Sequence, residues 1–388
     1  MIDKNDLVNK FFEKYENRDE KPVLFFSPGR VNLIGEHTDY NGGFVFPCAL
    51  NYGTYLCIRK INENKLKFST LNFDEDEEVE IKELFVNEGK KWINYPLGVL
   101  NEFLRIKITI TGLEFLYFGD VPNEAGLSSS ASIEMVTAVA INDLFNSGLS
   151  TLELVKMSQR AENVFVGMNC GIMDQFAVGF AKKDHAIFLN CDTLYHENVP
   201  LNLNNYSLII TNTNKRRGLT DSKYNERRSE CDMAVELLQA YKPIRNLSEL
   251  STEELEVLPK YIKDPVVLKR ARHVISENGR VAEAVKVLRE DDLIRFGELM
   301  NLSHDSLKDD YEVTGIELDT LVYEGRKLPG VIGTRMTGAG FGGCTVSIVK
   351  NDHVAGFINN LASVYQEKTG LVPDFYQPEI GEGATRIG

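Results

Sequence analysis

A surplus of positive charge is missing from this sequence, and so are long apolar runs, paired cysteines and low-complexity stretches. Acidic residues outnumber basic ones, and a formal net charge of -14 at pH 7 removes the electrostatic footprint on which nucleic-acid binding depends. The same field gives no general attraction for anions, so any phosphate held here needs local donors and a metal ion. No stretch approaches the roughly 18 apolar residues of a membrane span, and Met1–Glu20 is charged and lacks a signal-peptide core. A cytoplasmic protein with no membrane or nucleic-acid partner is expected. The six cysteines, Cys48, Cys57, Cys170, Cys191, Cys231 and Cys344, form no CxxC pair. That pattern argues against zinc and a disulfide framework and for reduced, mostly buried thiols. GxxxxGK followed by Ser or Thr does not occur, so a nucleotide site here would not be a P-loop.

What is present is ordinary globular material. The 388 residues, 43% hydrophobic and 26% charged, are enough for two domains or one large one with ample core. The most informative stretch is Val121–Ser132, Val-Pro-Asn-Glu-Ala-Gly-Leu-Ser-Ser-Ser-Ala-Ser. The strand-like alternation of Lys107–Phe118 precedes it, and Ile133–Phe145 follows with helical spacing. A small-residue turn opening a helix presents unpaired backbone N–H groups and the positive end of the helix dipole, and three serines add hydroxyl donors. An N-cap with spare serines explains part of this, but the density of small residues from Gly126 to Ala131 exceeds what capping needs.

Upstream, Val23–Phe26 reads as a strand leading into Pro28–Gly43, where Arg30, Glu36, His37 and Asp39 lie between glycines. A solvated loop of mixed charge and a polyol-binding loop are both compatible with that spacing. Strands are predicted over Phe44–Ala49, Thr54–Lys60 and Lys65–Thr70, and the acidic run Asp74–Glu78 reads as a solvated hairpin edge. The single tryptophan, Trp92, opens a helix reaching Leu104, a position that favours core. Leu152–Val166 reads as a helix carrying Glu162, and Gly167–Phe176 sets Asp174 among small and apolar residues, as a structural acid or a catalytic one. Lys215–Arg217 and Tyr224–Arg228 read as surface charge before a helix at Glu226–Ala240. Ser251–Glu254 is a capping box, with helices at Pro265–Glu290, Asp292–Lys308 and Ile316–Lys327. The GxGxxG at Gly338–Gly343 runs into a strand, Cys344–Val349, where a dinucleotide fingerprint needs a helix.

Three separated segments match one family pattern. Gly29–Gly43 resembles the galactokinase signature, Gly126–Ser132 the phosphate loop shared by the GHMP kinases, and Gly333–Cys344 their third, glycine-rich motif. Gly171–Phe176 and Met300–Val313 extend the likeness over nearly the whole chain, in order. The resemblance implies an α+β, two-domain GHMP kinase fold. Its N-terminal mixed α/β domain, residues 1–180, holds the sugar signature and phosphate loop. Its C-terminal domain, residues 181–388, holds an antiparallel sheet with helices, and the active site lies between the two. It implies a monomeric kinase that uses ATP and Mg²⁺ to phosphorylate the C1 hydroxyl of α-D-galactose, the first committed step of galactose use by the Leloir pathway. Carried over position by position, Glu36, His37, Asp39, Gly171 and Tyr224 correspond to the galactose-binding set, and Arg30 and Asp174 to the pair at the anomeric hydroxyl. Gly126, Leu127, Ser128, Ser129, Ser130 and Ala131 correspond to the nucleotide-phosphate loop, with Gly338 and Gly340 beside it. Ser130 and Glu162 resemble the Mg²⁺ ligands. Trp92 and Tyr95 fall where the family stacks adenine, which reverses the preference for core. One departure is Glu124, where relatives commonly have glycine, serine or alanine, and its side chain is expected to face solvent. The rival readings are a kinase for N-acetylgalactosamine or L-arabinose and a non-catalytic sensor. A sensor would be marked by damage at Arg30, Ser130, Ala131, Glu162 or Asp174, all of which are present.

Overall fold

The computed structural model describes residues 2–16, 20–87, 89, 91–122, 126–215 and 220–388. Three sheets organise it. The first has six strands in the order Thr385–Arg386, Val23–Asn32, Pro47–Ile61, Gly112–Gly119, Lys65–Thr70 and Glu77–Glu80. Every neighbouring pair in it is antiparallel except Lys65–Thr70 with Gly112–Gly119. A four-stranded antiparallel sheet runs Val331–Thr337, Cys344–Lys350, Tyr206–Asn212 and Asp374–Tyr376. A small third sheet joins Phe44–Val45, His185–Asn190 and His196–Pro200.

The helix Ser129–Leu144 packs on Val23–Asn32 and Pro47–Ile61, flanked by the helices Asn94–Arg105, Thr151–Arg160 and Met173–Phe180. Its apolar side chains Ala131, Met135, Val136 and Ala138 sink into the largest core. That burial holds the serine turn at its start over the end of the first strand. A second core joins Leu33, Ile34 and Phe46 to Val281, Phe296 and Val346, so the loop after the first strand is packed on the C-terminal half. Strand pairing crosses a division at residue 180, since Phe44–Val45 pairs with His185–Asn190 and Thr385–Arg386 returns to the first sheet.

Several expected boundaries move. The strands predicted over Phe44–Ala49 and Thr54–Lys60 become a short Phe44–Val45 and one continuous Pro47–Ile61, because Gly53, bare of a side chain, lets the Phe26 ring lie across it rather than turning the chain. The strand expected from Lys107 begins at Gly112, since Lys107 takes a left-handed φ of 65° where the preceding helix ends. Leu152–Val166 is α-helical only over Thr151–Arg160 and continues as a π-helical turn over Ala161–Val166 that carries Glu162. Such turns gather at functional sites. The GxGxxG segment is a connection between two antiparallel strands, as the downstream strand requires. The strands His196–Pro200 and Val331–Thr337 and the helix Val354–Thr369 escape the sequence reading. All six cysteines are free thiols, four of them buried, and no helix of the described residues is long and apolar enough to cross a membrane.

The third motif is positioned by a backbone-to-backbone contact. The helix Leu293–Asp309 meets the strand Val331–Thr337 where Gly297 lies against Ile332 and Gly333. A side chain at Gly297 would strike the Ile332 carbonyl. In an exposed helix Gly→Ala stabilises by up to about 1 kcal/mol. Gly297→Ala is expected to do the reverse, destabilising by about 1–3 kcal/mol through overpacking, as read from urea denaturation. A stabilised Gly297→Ala protein would contradict the contact.

Candidate active site

Arg30 and Asp174 are brought together from opposite sides of a cleft. The first strand bulges between Pro28 and Arg30, and the Arg30 backbone N–H donates to the Leu127 carbonyl at 3.1 Å. The Arg30 guanidinium donates through Nη1 to the Gly126 carbonyl at 2.8 Å and through Nε to Asp174 Oδ1 at 2.8 Å. Nη2 lies 2.7 Å from the same oxygen, with the Arg30 side chain only 5% exposed. Asp174 sits in the first turn of Met173–Phe180, where the helix dipole favours a carboxylate. Its second oxygen accepts a 2.5 Å hydrogen bond from the Ser128 hydroxyl.

The cleft has a volume of about 350 Å³ and is lined by Arg30, Glu36, His37, Asp39, Gly171, Asp174, Tyr224 and Gly338, together with Cys170 and Asn225. The structure thus gathers all seven residues expected at the sugar and its reacting hydroxyl. A Cβ at Gly171 would fall on the Asp39 carboxylate, so any larger residue there has to push that side chain aside. Burial, then the charge of Asp174, pushes the Asp39 pKa up to about 7 against the backbone N–H of Tyr40. Burial and Asp39 push the Tyr224 phenol well above its ordinary value.

His37 takes a left-handed φ of 62° and is held from both ring nitrogens. Nε2 lies 3.2 Å from the Ala339 carbonyl and Nδ1 2.8 Å from the Tyr40 hydroxyl. A carbonyl can only accept, so Nε2 carries the proton and Tyr40 donates to Nδ1. Burial and the neighbouring His273 push the His37 pKa down to about 3, which keeps the ring neutral. The Glu36 carboxylate clasps the third motif. It accepts from the Gly338 N–H at 2.6 Å and the Thr337 hydroxyl at 3.1 Å, and its other oxygen accepts from Asn32 and forms an ion pair with Arg335.

The serine turn divides its work in a way the sequence does not announce. Gly126 and Ser128 take left-handed φ values of 71° and 61°. The side chains of Leu127 and Ala131 are buried in the two cores, leaving only their backbone to a ligand. Ser129 and Ser130 line a second cleft of about 250 Å³ with Trp92, Tyr95 and Tyr117. Trp92 is both core and wall, meeting Phe68, Phe73 and Tyr117 edge-on. Gly338 borders the first cleft, whereas Gly340 is packed behind the loop against the Val313 carbonyl. Beside the phosphate loop, Gly340 therefore braces the turn instead of lining it. Glu124 lies outside the described residues, as do Arg216 and Arg217. The expectation of surface charge fails at Arg227, which is 5% exposed and donates to the Tyr311 and Glu312 carbonyls.

Two buried residues escaped the sequence reading. Gln175 donates through Nε2 to Glu162 at 2.6 Å and to Glu134 at 3.0 Å, and Ser130 lies beside Glu162. Burial raises the pKa of both acids, reinforced by the charge of Glu162 at Glu134 and by the charge of Asp174 at Glu162. An acid within the apolar run Ile133–Phe145 was the available signal for Glu134.

Comparison with known proteins follows the same segments. The galactokinase galactose-binding signature matches residues 9–60, the GHMP kinases N terminal domain residues 94–182 and the GHMP kinases C terminal domain residues 284–367. The galactokinase of Clostridium acetobutylicum is 53% identical over 98% of this chain and 100% of its own. That of Fusobacterium nucleatum is 53% identical over 98% and 99%. The chain belongs to the galactokinase family of GHMP kinases. The crystal structure of Lactococcus lactis galactokinase complexed with galactose is 45% identical and superimposes with a TM-score of 0.96, covering 99% of both chains. Methanococcus jannaschii mevalonate kinase, at 18% identity and a TM-score of 0.68 over 94% of this chain and 100% of its own, shares the fold. Membership of the GHMP kinases carries ATP use with it.

In this galactokinase-family cleft, Asp39 carries a pH signature. Its folded pKa lies above the unfolded carboxylate value near 4, so its stabilising contribution is present below that value and is lost as pH rises through about 7. In the absence of ligand, stability is expected to fall between pH 5 and 8 more steeply than in Asp39→Asn, by up to about 1.4 kcal/mol per pH unit, the slope of one proton. Parallel slopes for the two proteins in urea unfolding would show that Asp39 is ionised throughout.

Proposed function

We infer that this chain transfers the γ-phosphoryl group of ATP to the C1 hydroxyl of α-D-galactose, giving α-D-galactose 1-phosphate and ADP. The observation that carries the reading is the Arg30–Asp174 pair, bordering the cleft and hydrogen-bonded to the Gly126–Ser128 turn. Phosphoryl transfer needs alignment and charge neutralisation more than covalent chemistry. In this reading Asp174 orients the C1 hydroxyl and takes its proton, while Arg30 offsets the negative charge that develops there. Glu36, His37, Asp39, Gly171 and Tyr224 form the galactose pocket, with Asp39 and Tyr224 on the axial 4-hydroxyl. The triphosphate lies on the backbone N–H groups at the start of Ser129–Leu144, and the adenine lies between Trp92 and Tyr95.

Ser130 and Glu162 would hold Mg²⁺. Among the described residues no group of three or more His, Cys, Asp or Glu forms a ready cage, but Mg²⁺ keeps several waters and is commonly bound by one or two protein oxygens plus phosphates. The fit is supported by the proximity of the two side chains and by the excess of buried carboxyls around them, with one Glu134 oxygen left without a partner. When bound, the ion offsets the charge of the triphosphate. We take the enzyme to be a monomer acting in the cytoplasm, with the halves 1–180 and 181–388 meeting at the cleft.

Galactose is expected to be the best acceptor in a parallel assay with glucose, N-acetylgalactosamine and L-arabinose. For glucose, kcat/KM should fall by at least about tenfold, since the equatorial 4-hydroxyl leaves Asp39 and Tyr224 unpaired. Equal kcat/KM for glucose and galactose would sink the assignment of the pocket. Asp174→Asn and Arg30→Ala are expected to lower kcat by about 10²–10⁴-fold while ATP affinity, measured by equilibrium binding, stays near that of the unmodified protein. Unchanged turnover in Asp174→Asn would remove Asp174 from the reacting hydroxyl.

A further inference from the structure

We propose that Ser128 is a positioning residue for Asp174 and not a phosphate ligand, an inference that rests on placing Asp174 at the acceptor hydroxyl. Ser128 occupies the residue before the helix Ser129–Leu144, where a serine ordinarily caps the first turn, yet its side chain makes no cap hydrogen bond. Its φ of 61° and ψ of 47° are left-handed values that glycine takes freely and a serine does not. That conformation turns the hydroxyl away from the helix axis and onto Asp174 Oδ2 at 2.5 Å, within the short range of a hydroxyl bound to a carboxylate. Asp174 Oδ1 is already held by Nε and Nη2 of Arg30. Both oxygens are therefore oriented by the protein, and the acceptor capacity that remains on Oδ2 is what a substrate hydroxyl meets.

Three consecutive residues of the turn share this task. The carbonyls of Gly126 and Leu127 accept from Arg30 Nη1 and the Arg30 backbone N–H, and the hydroxyl of Ser128 donates to Asp174. The segment that presents its following N–H groups to a nucleotide thus also sets the position of both groups facing the acceptor. A serine at this place is worth its strained backbone because its hydroxyl reaches Asp174 Oδ2, which glycine could not do.

The test compares Ser128→Ala and Ser128→Gly. A positioning role predicts that both lose kcat, on the order of tenfold for one hydrogen bond, with ATP affinity unchanged. Ser128→Gly, relieved of the left-handed strain, should unfold at a urea midpoint close to or above that of the unmodified protein, which separates lost turnover from lost folding. In an Asp174→Asn background, adding Ser128→Gly should cost nothing more, because the hydroxyl acts through the carboxylate. Undiminished kcat in Ser128→Gly would overturn the proposal. So would a loss confined to ATP affinity, or one that multiplies with that of Asp174→Asn. Undiminished kcat in Asp174→Asn itself would instead overturn the placement of Asp174 on which the inference rests.

Discussion

The pairing of Arg30 with Asp174 is the constraint to which the surrounding structure answers. A guanidinium almost removed from water is tolerable only with a partner of opposite charge and hydrogen bonds for its remaining protons. Both are supplied here, at 2.7–2.8 Å from Asp174 and from the Gly126 carbonyl. To make that possible, the first strand bulges after Pro28. Gly29 carries no side chain where the Leu127 carbonyl passes, and Ser129–Leu144 is packed so that its first residues reach the strand end. Each is a backbone requirement imposed by two side chains.

The charge balance of the cleft follows from the same desolvation. An imidazole surrounded by Arg227, Arg335 and His273 is kept neutral, and burial raises Asp39, Glu36, Glu134 and Glu162 toward their protonated forms. A chain of net charge -14 can therefore keep a helix-opening turn with free backbone donors beside a cluster of acids, since local donors and proton occupancy matter more at contact distance than the distant, screened field. The hydroxyl chain from Tyr311 through Tyr40 to His37 fixes the imidazole tautomer and gives the buried phenols partners without adding charge.

The cleft also joins distant parts of the chain. Glu36 from the first strand's loop holds Gly338 and Thr337. His273, on the helix Pro265–Arg289, reaches the Glu36 carbonyl at 3.1 Å. Any relative movement of the two halves has to break or carry these contacts, so the cleft wall at Glu36 and the third motif behave as one piece.

Legible from the chain alone were features written in neighbouring residues: the small-residue turn before an apolar helix, the glycines around Glu36 to Asp39, the isolated Asp174 and the strand after the GxGxxG that excludes a dinucleotide fingerprint. Backbone conformation and period are local properties, and the motif order with them pointed to the GHMP kinases. Tertiary packing alone settled where side chains go. Among three adjacent serines, Ser128 turns to Asp174 and Ser130 to Glu162. Of two motif glycines, one borders the cleft and the other backs onto Val313. Arg227, which reads as surface charge, is buried on carbonyls that arrive from residues 311 and 312. Strand Thr385–Arg386 joins the first sheet from the far end of the sequence. Such outcomes depend on contacts between residues from tens to more than 300 positions apart, whose partners are chosen by which faces are buried together, and no local pattern encodes that choice.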